Sequence, residues 1–180
     1  MKILKKIFEL LSIESVRSEA VMTLAQLVKE NQIRCLVISS GMCGVLVQML
    51  DENEHDLSIG ILSILITLGN GEEQFQSDAL ELGLASSLSY KFSSNEFILH
   101  LLELIRIYIQ TTESIKTIME TQLLHDLVPN LKSPNRQVRI KMAELVRSLC
   151  INKTVFDYLI KADAIEILTS VEHSFHLRYS

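Results

Sequence analysis

The stretch Gly41-Met-Cys-Gly-Val-Leu-Val-Gln-Met-Leu50, followed by Asp51-Glu-Asn-Glu-His-Asp56 and Leu57-Ser-Ile-Gly-Ile-Leu-Ser-Ile-Leu-Ile-Thr-Leu68, decides the fold. A glycine break opens a short apolar run, an acidic turn follows, and a longer apolar run closes at Gly69-Asn-Gly71. The long run is too long for a typical buried strand and carries no proline or turn cluster, only the lone Gly60, so it reads as a helix. The short run before it reads as a second helix, and the polar hexapeptide as the turn between them.

The same pattern recurs on both sides. Downstream, Gly83-Leu-Ala-Ser-Ser-Leu-Ser-Tyr-Lys-Phe92 leads through Ser93-Ser-Asn95 into a helix ending near Ile109. Further on, Leu123-Leu-His-Asp-Leu-Val-Pro-Asn-Leu131 turns at Lys132-Ser-Pro-Asn135 into a helix over 137–150. An incomplete copy opens at Ala164-Ile-Glu-Ile-Leu-Thr-Ser-Val171, and a first one at Ile3-Leu-Lys-Lys-Ile-Phe-Glu-Leu-Leu11 with a helix over 16–29. Matched positions Ile3, Met42, Leu84, Leu123 and Ala164 are separated by 39, 42, 39 and 41 residues. Regular spacing with little letter identity is the signature of a solenoid, in which each unit buries the same face with any apolar side chain that fits. Shorter helices are predicted between the units, over 31–40, 73–82, 113–121 and 153–162. The approximate units are then 1–29, 30–70, 71–111, 112–151 and a partial 152–180, in one repeat domain covering 1–180.

Three helices per unit distinguish one repeat class from the two-helix alternative. The segment 41–50, with its glycine break and Leu-Val-Gln-x-Leu-like run, resembles the second helix of an armadillo repeat. The segment Leu127-Val-Pro-Asn-Leu-Lys-Ser-Pro-Asn-Arg-Gln-Val-Arg139 resembles an armadillo or HEAT helix–turn–helix, with its loop proline and basic–Gln–Val–Arg start. The resemblance implies an all-α, right-handed α-solenoid, an armadillo-like superhelix of about four repeats, partial at both ends.

It also implies a concave groove lined by the third helix of each unit, where extended protein or peptide partners bind. Carried over by position, the groove residues here are Met22 and Gln26; Ile59, Ser63, Ile66 and Thr67; Leu99, Glu103, Arg106 and Ile107; and Ile140, Glu144, Arg147 and Ser148. The Trp/Asn ladder of the nuclear-import adaptors is missing, with Met22, Ser63, Glu103 and Glu144 at one set of its positions and Gln26, Thr67, Ile107 and Ser148 at the other. The strongly basic groove of catenin-like members is missing too. A mixed strip with Ile59, Ile66, Leu99, Ile107 and Ile140 remains, which reads as an open apolar partner site or as packing between adjacent long helices. On the helix over 97–109, apolar on nearly every side, Glu103 and Arg106 are three apart and are expected to pair on the open face.

Other classes are disfavoured. A net charge of −5 argues against nucleic-acid binding. Acidic groups gather at Asp51, Glu52, Glu54 and Asp56 and again at Glu72, Glu73, Asp78 and Glu81, and these read as solvated turns and faces. The N-terminal run is broken by Lys5 and Lys6, so it reads as a packed helix rather than a signal or membrane segment. Three unevenly spaced cysteines are no disulfide framework and fit a reducing, cytoplasmic setting. Phosphate-loop, dinucleotide and nucleophile-elbow motifs are absent. His173 and His176 are three apart without further ligands, and Cys43, though at a helix start where thiol acidity can rise, has no histidine partner. The expectation is therefore a protein-interaction scaffold or adaptor with no catalytic residues, no metal and no cofactor, serving a larger protein or complex. The alternative is a structural unit that oligomerises through its terminal helices.

Overall fold

The computed structural model describes residues 2–52, 54–92, 97–162 and 164. Among them lie twelve α-helices: α1 (Lys2–Leu11), α2 (Arg17–Leu27), α3 (Asn31–Ser39), α4 (Cys43–Met49), α5 (His55–Gly69), α6 (Glu73–Glu81), α7 (Leu84–Phe92), α8 (Ile98–Tyr108), α9 (Thr112–Met119), α10 (Leu123–Leu127), α11 (Arg136–Leu149) and α12 (Lys153–Lys161). The short–short–long rhythm read from the sequence is present, with boundaries shifted by a residue or two. The turn expected at 93–95, the helix expected beyond Ala164, and His173 and His176 lie outside the described residues. Contacts divide the chain into two compact units, Met1–Ser87 and Leu88–Ser180.

In unit 1 the core is the crossing of α2 and α5. Leu57, Ile61, Leu62, Ile64, Leu65 and Leu68 of α5 are fully buried. Each contributes about 1.5–3 kcal/mol of transfer free energy. Gly60 sets how closely the two helices approach: a Cβ there would lie 2.5 Å from Val21 Cγ1 and 3.2 Å from Met22 Sδ. Gly41 and Gly83, at φ 73° and 93°, supply the left-handed residue that stops α3 and α6 before the chain turns into α4 and α7. Two polar clamps close the unit. Arg17 Nε donates to the Leu11 carbonyl at the end of α1 (2.8 Å), and its Nη1 donates to both carboxylate oxygens of Glu52 (2.7 Å each). Gln76 Nε2 donates to the Gly69 carbonyl (2.6 Å), satisfying a buried acceptor at the end of α5.

Unit 2 is built around α8 and α11. Leu101, Leu102, Leu104, Ile105, Ile107 and Tyr108 of α8 are buried, as an all-round apolar helix requires. They meet the α11 stripe Val138, Met142, Leu145 and Leu149, also buried. Three of its described helices, α9, α11 and α12, are capped by side chains. Thr111 and Ser114 form a reciprocal capping box on α9; the Asn135 and Asn152 carbonyl oxygens accept from backbone N–H groups at the starts of α11 and α12. Each cap contributes on the order of 1 kcal/mol. Pro129 sits in the first turn of a 3₁₀ segment, Val128–Lys132, that continues α10. The missing N–H of Pro129 ends the α-type bonding at the point where the helix changes from α to 3₁₀.

Candidate functional site

The third helices of the repeats are α2, α5, α8 and α11, and the sequence-derived groove residues fall on two faces, one in each unit. In unit 1, Met22 is 40% exposed and Gln26 is exposed, while Ile59, Ser63, Ile66 and Thr67 of α5 are half-buried. Lys29 Nζ donates to Gln26 Oε1 (2.7 Å), and Thr67 Oγ1 donates to the Ser63 carbonyl (2.8 Å). The second bond is the back-bonding habit of helical threonine, and it leaves Thr67 little capacity to donate to a ligand. This face is uncharged at all six positions.

The unit 2 face is different. Leu99 and Ile140 are 40% and 38% exposed, and Arg106, Glu144, Arg147 and Ser148 are exposed. Glu103 and Arg106 pair as expected, with Arg106 Nη2 donating to Glu103 Oε1 at 2.6 Å and Nε to Oε2 at 3.2 Å. A cation that the sequence reading did not select joins them: Lys141 Nζ lies 3.7 Å from Glu103 Oε2 and 3.5 Å from Glu144 Oε2. The Lys141–Glu144 spacing was visible in the sequence, but the bridge from α11 to α8 needs both helices in place. The hydrogen bond from Arg106 holds the Glu103 carboxyl below its ordinary range against the opposing effect of burial, with Lys141 adding to the lowering. Arg106 is raised in turn, first by that same bond.

Ile107 requires a correction. Its repeat position assigns it to the groove, with packing between helices as the alternative, and the alternative holds: it is 5% exposed and packs into the unit 2 core. The step from Arg106 to Ile107 turns the side chain about 100° round the helix. On a helix apolar on most sides, that turn is enough to carry it from the rim into the interior.

At the C-terminal ends of α8 and α11 the face opens into a cleft of about 470 Å³. Its walls include Ile109, Ile115, Leu145 and Leu149, with Gln110, Thr111, Ser148 and Asn152 as polar members. Arg106 is its one ionisable lining residue among the described residues, and Ile151, also in the lining, is 89% exposed. The sequence reading missed this cleft. Ile151 follows directly on the expected helix and gave a faint signal, an apolar residue in a polar turn.

Elsewhere the chemistry is quiet. No group of three or more His, Cys, Asp or Glu side chains among the described residues is placed to hold a metal ion. Burial, reinforced by Asp78, pushes the Cys43 thiol up to about 11, which reverses the acidifying effect of a helix start. Among the described residues no single helix is long and apolar enough to cross a membrane; α3 and α4 pass on length and composition only as a pair bent by 89°.

No family model matches this sequence, and no curated protein matches it. Solved structures do. An engineered protein is 20% identical over 91% of this chain and 71% of its own, with a TM-score of 0.81. A computationally designed armadillo repeat protein for modular peptide recognition is 21% identical, covering 92% and 72%, with a TM-score of 0.80. A designed armadillo repeat protein in complex with the peptide (KR)4 matches with the same identity, coverage and score. At these identities the likeness is one of fold, and the fold is that of the armadillo repeat: this chain is an armadillo-like α-solenoid.

Proposed function

We propose that this chain is a protein-interaction scaffold that holds an extended segment of a partner against the outward sides of its third helices, and that it carries out no reaction itself. The observation that carries this reading is the unit 2 face, where the large apolar side chains Leu99 and Ile140 stay exposed on the two helices that carry the charge network. Exposed apolar groups beside positioned polar ones suit a recognition surface. A neighbour of the same fold holds a peptide, (KR)4, which supports the use of such a scaffold in general. The three cysteines, unpaired in the structure, fit service in a reducing compartment such as the cytoplasm, as a regulatory module of a larger assembly.

The test is a selection of short random peptides displayed against the whole chain, with rebinding measured by fluorescence anisotropy. Enriched peptides should bind wild type and lose about tenfold in affinity, ~1.4 kcal/mol, on Leu99→Glu or Ile140→Glu. Circular dichroism should be unchanged in both variants. Failure to enrich any peptide over an unrelated helical protein would sink the reading. Self-assembly is the second reading, favoured by the exposed pair Phe156 and Ile160 one turn apart on α12. Light scattering reporting a monomer at high concentration would remove it.

A further inference from the structure

We propose that the α8/α11 face selects an acidic partner segment, one in which carboxylate side chains alternate with apolar anchors. The proposal rests on the scaffold reading above and names the chemistry of what that face holds.

Residues 132–147 contain five basic side chains, Lys132, Arg136, Arg139, Lys141 and Arg147, against one acidic group, Glu144. That is the largest local excess of positive charge in the chain. The structure then decides which of these charges are spent. Arg139 braces the preceding loop, its Nη1 donating to the Ser133 and Pro134 carbonyls (2.6 and 2.9 Å). Lys141 bridges Glu103 and Glu144, and Arg106 holds Glu103. Among the described residues the carboxylates of the face, Glu103 and Glu144, are therefore already neutralised by groups of the face itself. Arg136 and Arg147 are exposed and have no ionic partner among the described residues. They lie on one stripe of α11 with Ile140 and Glu144, at steps of 4, 4 and 3. What the stripe offers to an incoming chain is positive charge at both ends and an apolar side chain between.

The Arg136 side chain makes no hydrogen bond or ion pair among the described residues. It occupies the first turn of α11, where the helix dipole disfavours a cation, and that turn contains no acidic residue to offset it. The chain runs from Arg147 straight into Ser148 and Leu149 of the cleft, where no carboxylate lines the wall among the described residues. A volume of about 470 Å³ admits an apolar side chain and the backbone that carries it.

The occupant is a protein segment and not a nucleic acid. Leu99, Ile140 and Ile151 have nothing to pack against on a phosphate backbone. A net charge of −5 repels a polyanion at long range, whereas a short peptide with a few carboxylates feels mainly the local cations. The preference is opposite to that of the designed neighbour that holds (KR)4.

The test uses the whole chain and the same random-peptide selection. The enriched set should carry an excess of Asp and Glu interleaved with Leu, Ile or Phe, and its members should bind at least about tenfold tighter than their Lys-for-Glu counterparts. Binding should weaken as salt rises. Arg136→Gln with Arg147→Gln should abolish the bias, and Arg136→Glu with Arg147→Glu should reverse it, both with unchanged circular dichroism. Peptides enriched without an acidic excess, a bias that survives both double variants, or tighter binding of a short single-stranded DNA would overturn this proposal and leave the scaffold reading standing. Enrichment of no peptide at all would overturn both.

Discussion

The α2/α5 face of unit 1 and the α8/α11 face of unit 2 come from the same repeat positions, yet they are built on different principles. In unit 1 the two helices approach over Gly60, and the outward positions are uncharged: Met22, Gln26, Ser63, Thr67. In unit 2 the position equivalent to Gly60 is filled by exposed His100 on α8 and by Lys141 on α11, and a lattice of charges spans the seam. Close backbone approach fixes the first face, and ion pairs decorate the second. The repeat conserves where the helices go, not how their outer surfaces are finished.

The largest expected effect separates rim from interior within the groove positions. Ile107→Glu should cost unit 2 about 4 kcal/mol, the free energy of displacing a buried carboxyl by about three pH units. Urea unfolding should show it. Ile66→Glu, at a half-buried position in unit 1, should cost well under half as much. Equal costs would mean that Ile107 is no more interior than Ile66.

Next comes the close approach. Gly60→Ala should lose about 1–3 kcal/mol, since the new Cβ meets Val21. His100→Ala, in the matching register of α8, should stay within about 0.5 kcal/mol. A Gly60→Ala variant as stable as wild type would show that α2 shifts freely, and the contrast between the faces would collapse.

A smaller effect distinguishes the faces by pH. The Glu103 carboxyl lies below its ordinary value of 4.5 in the folded chain. A depressed carboxyl stabilises the folded state above its unfolded value, and that contribution is lost as the pH falls through the folded value. The urea midpoint should therefore contain a component that disappears as the pH falls below about 4.5 and that Glu103→Gln removes. Because Glu103 is partly solvated, this component should be under about 1 kcal/mol and should shrink with salt. The corresponding Ser63→Ala change in unit 1 should leave the acid profile unaltered.

The smallest effect is a rate and needs no mutation. Thiol alkylation at mildly alkaline pH should proceed at Cys35 first, then Cys150, with Cys43 last, because Cys35 is exposed, Cys150 half-buried and raised by burial, and Cys43 buried and pushed up to about 11. Early labelling of Cys43 would show that unit 1 opens locally around α4.

Much of the fold was legible in the chain itself. Helices recurring at steps near forty residues, glycine breaks at Gly41 and Gly83, and the stripe Val138, Met142, Leu145, Leu149 are local patterns, and a local pattern suffices to specify a helix and the face it buries. The Glu103–Arg106 pair was legible for the same reason, since both residues lie on one helix three positions apart. Tertiary structure alone decided the rest. Ile107 went inside because α8 is apolar on several sides, and only its neighbours determine which of those sides is left open. Lys141 became a bridge because α11 lies against α8, a fact carried by no spacing within α11. The cleft at the ends of those helices exists only where α9 and α12 begin beside them. Periodicity records how one helix is divided between core and solvent, and a surface shared by two helices is set by the packing that brings them together.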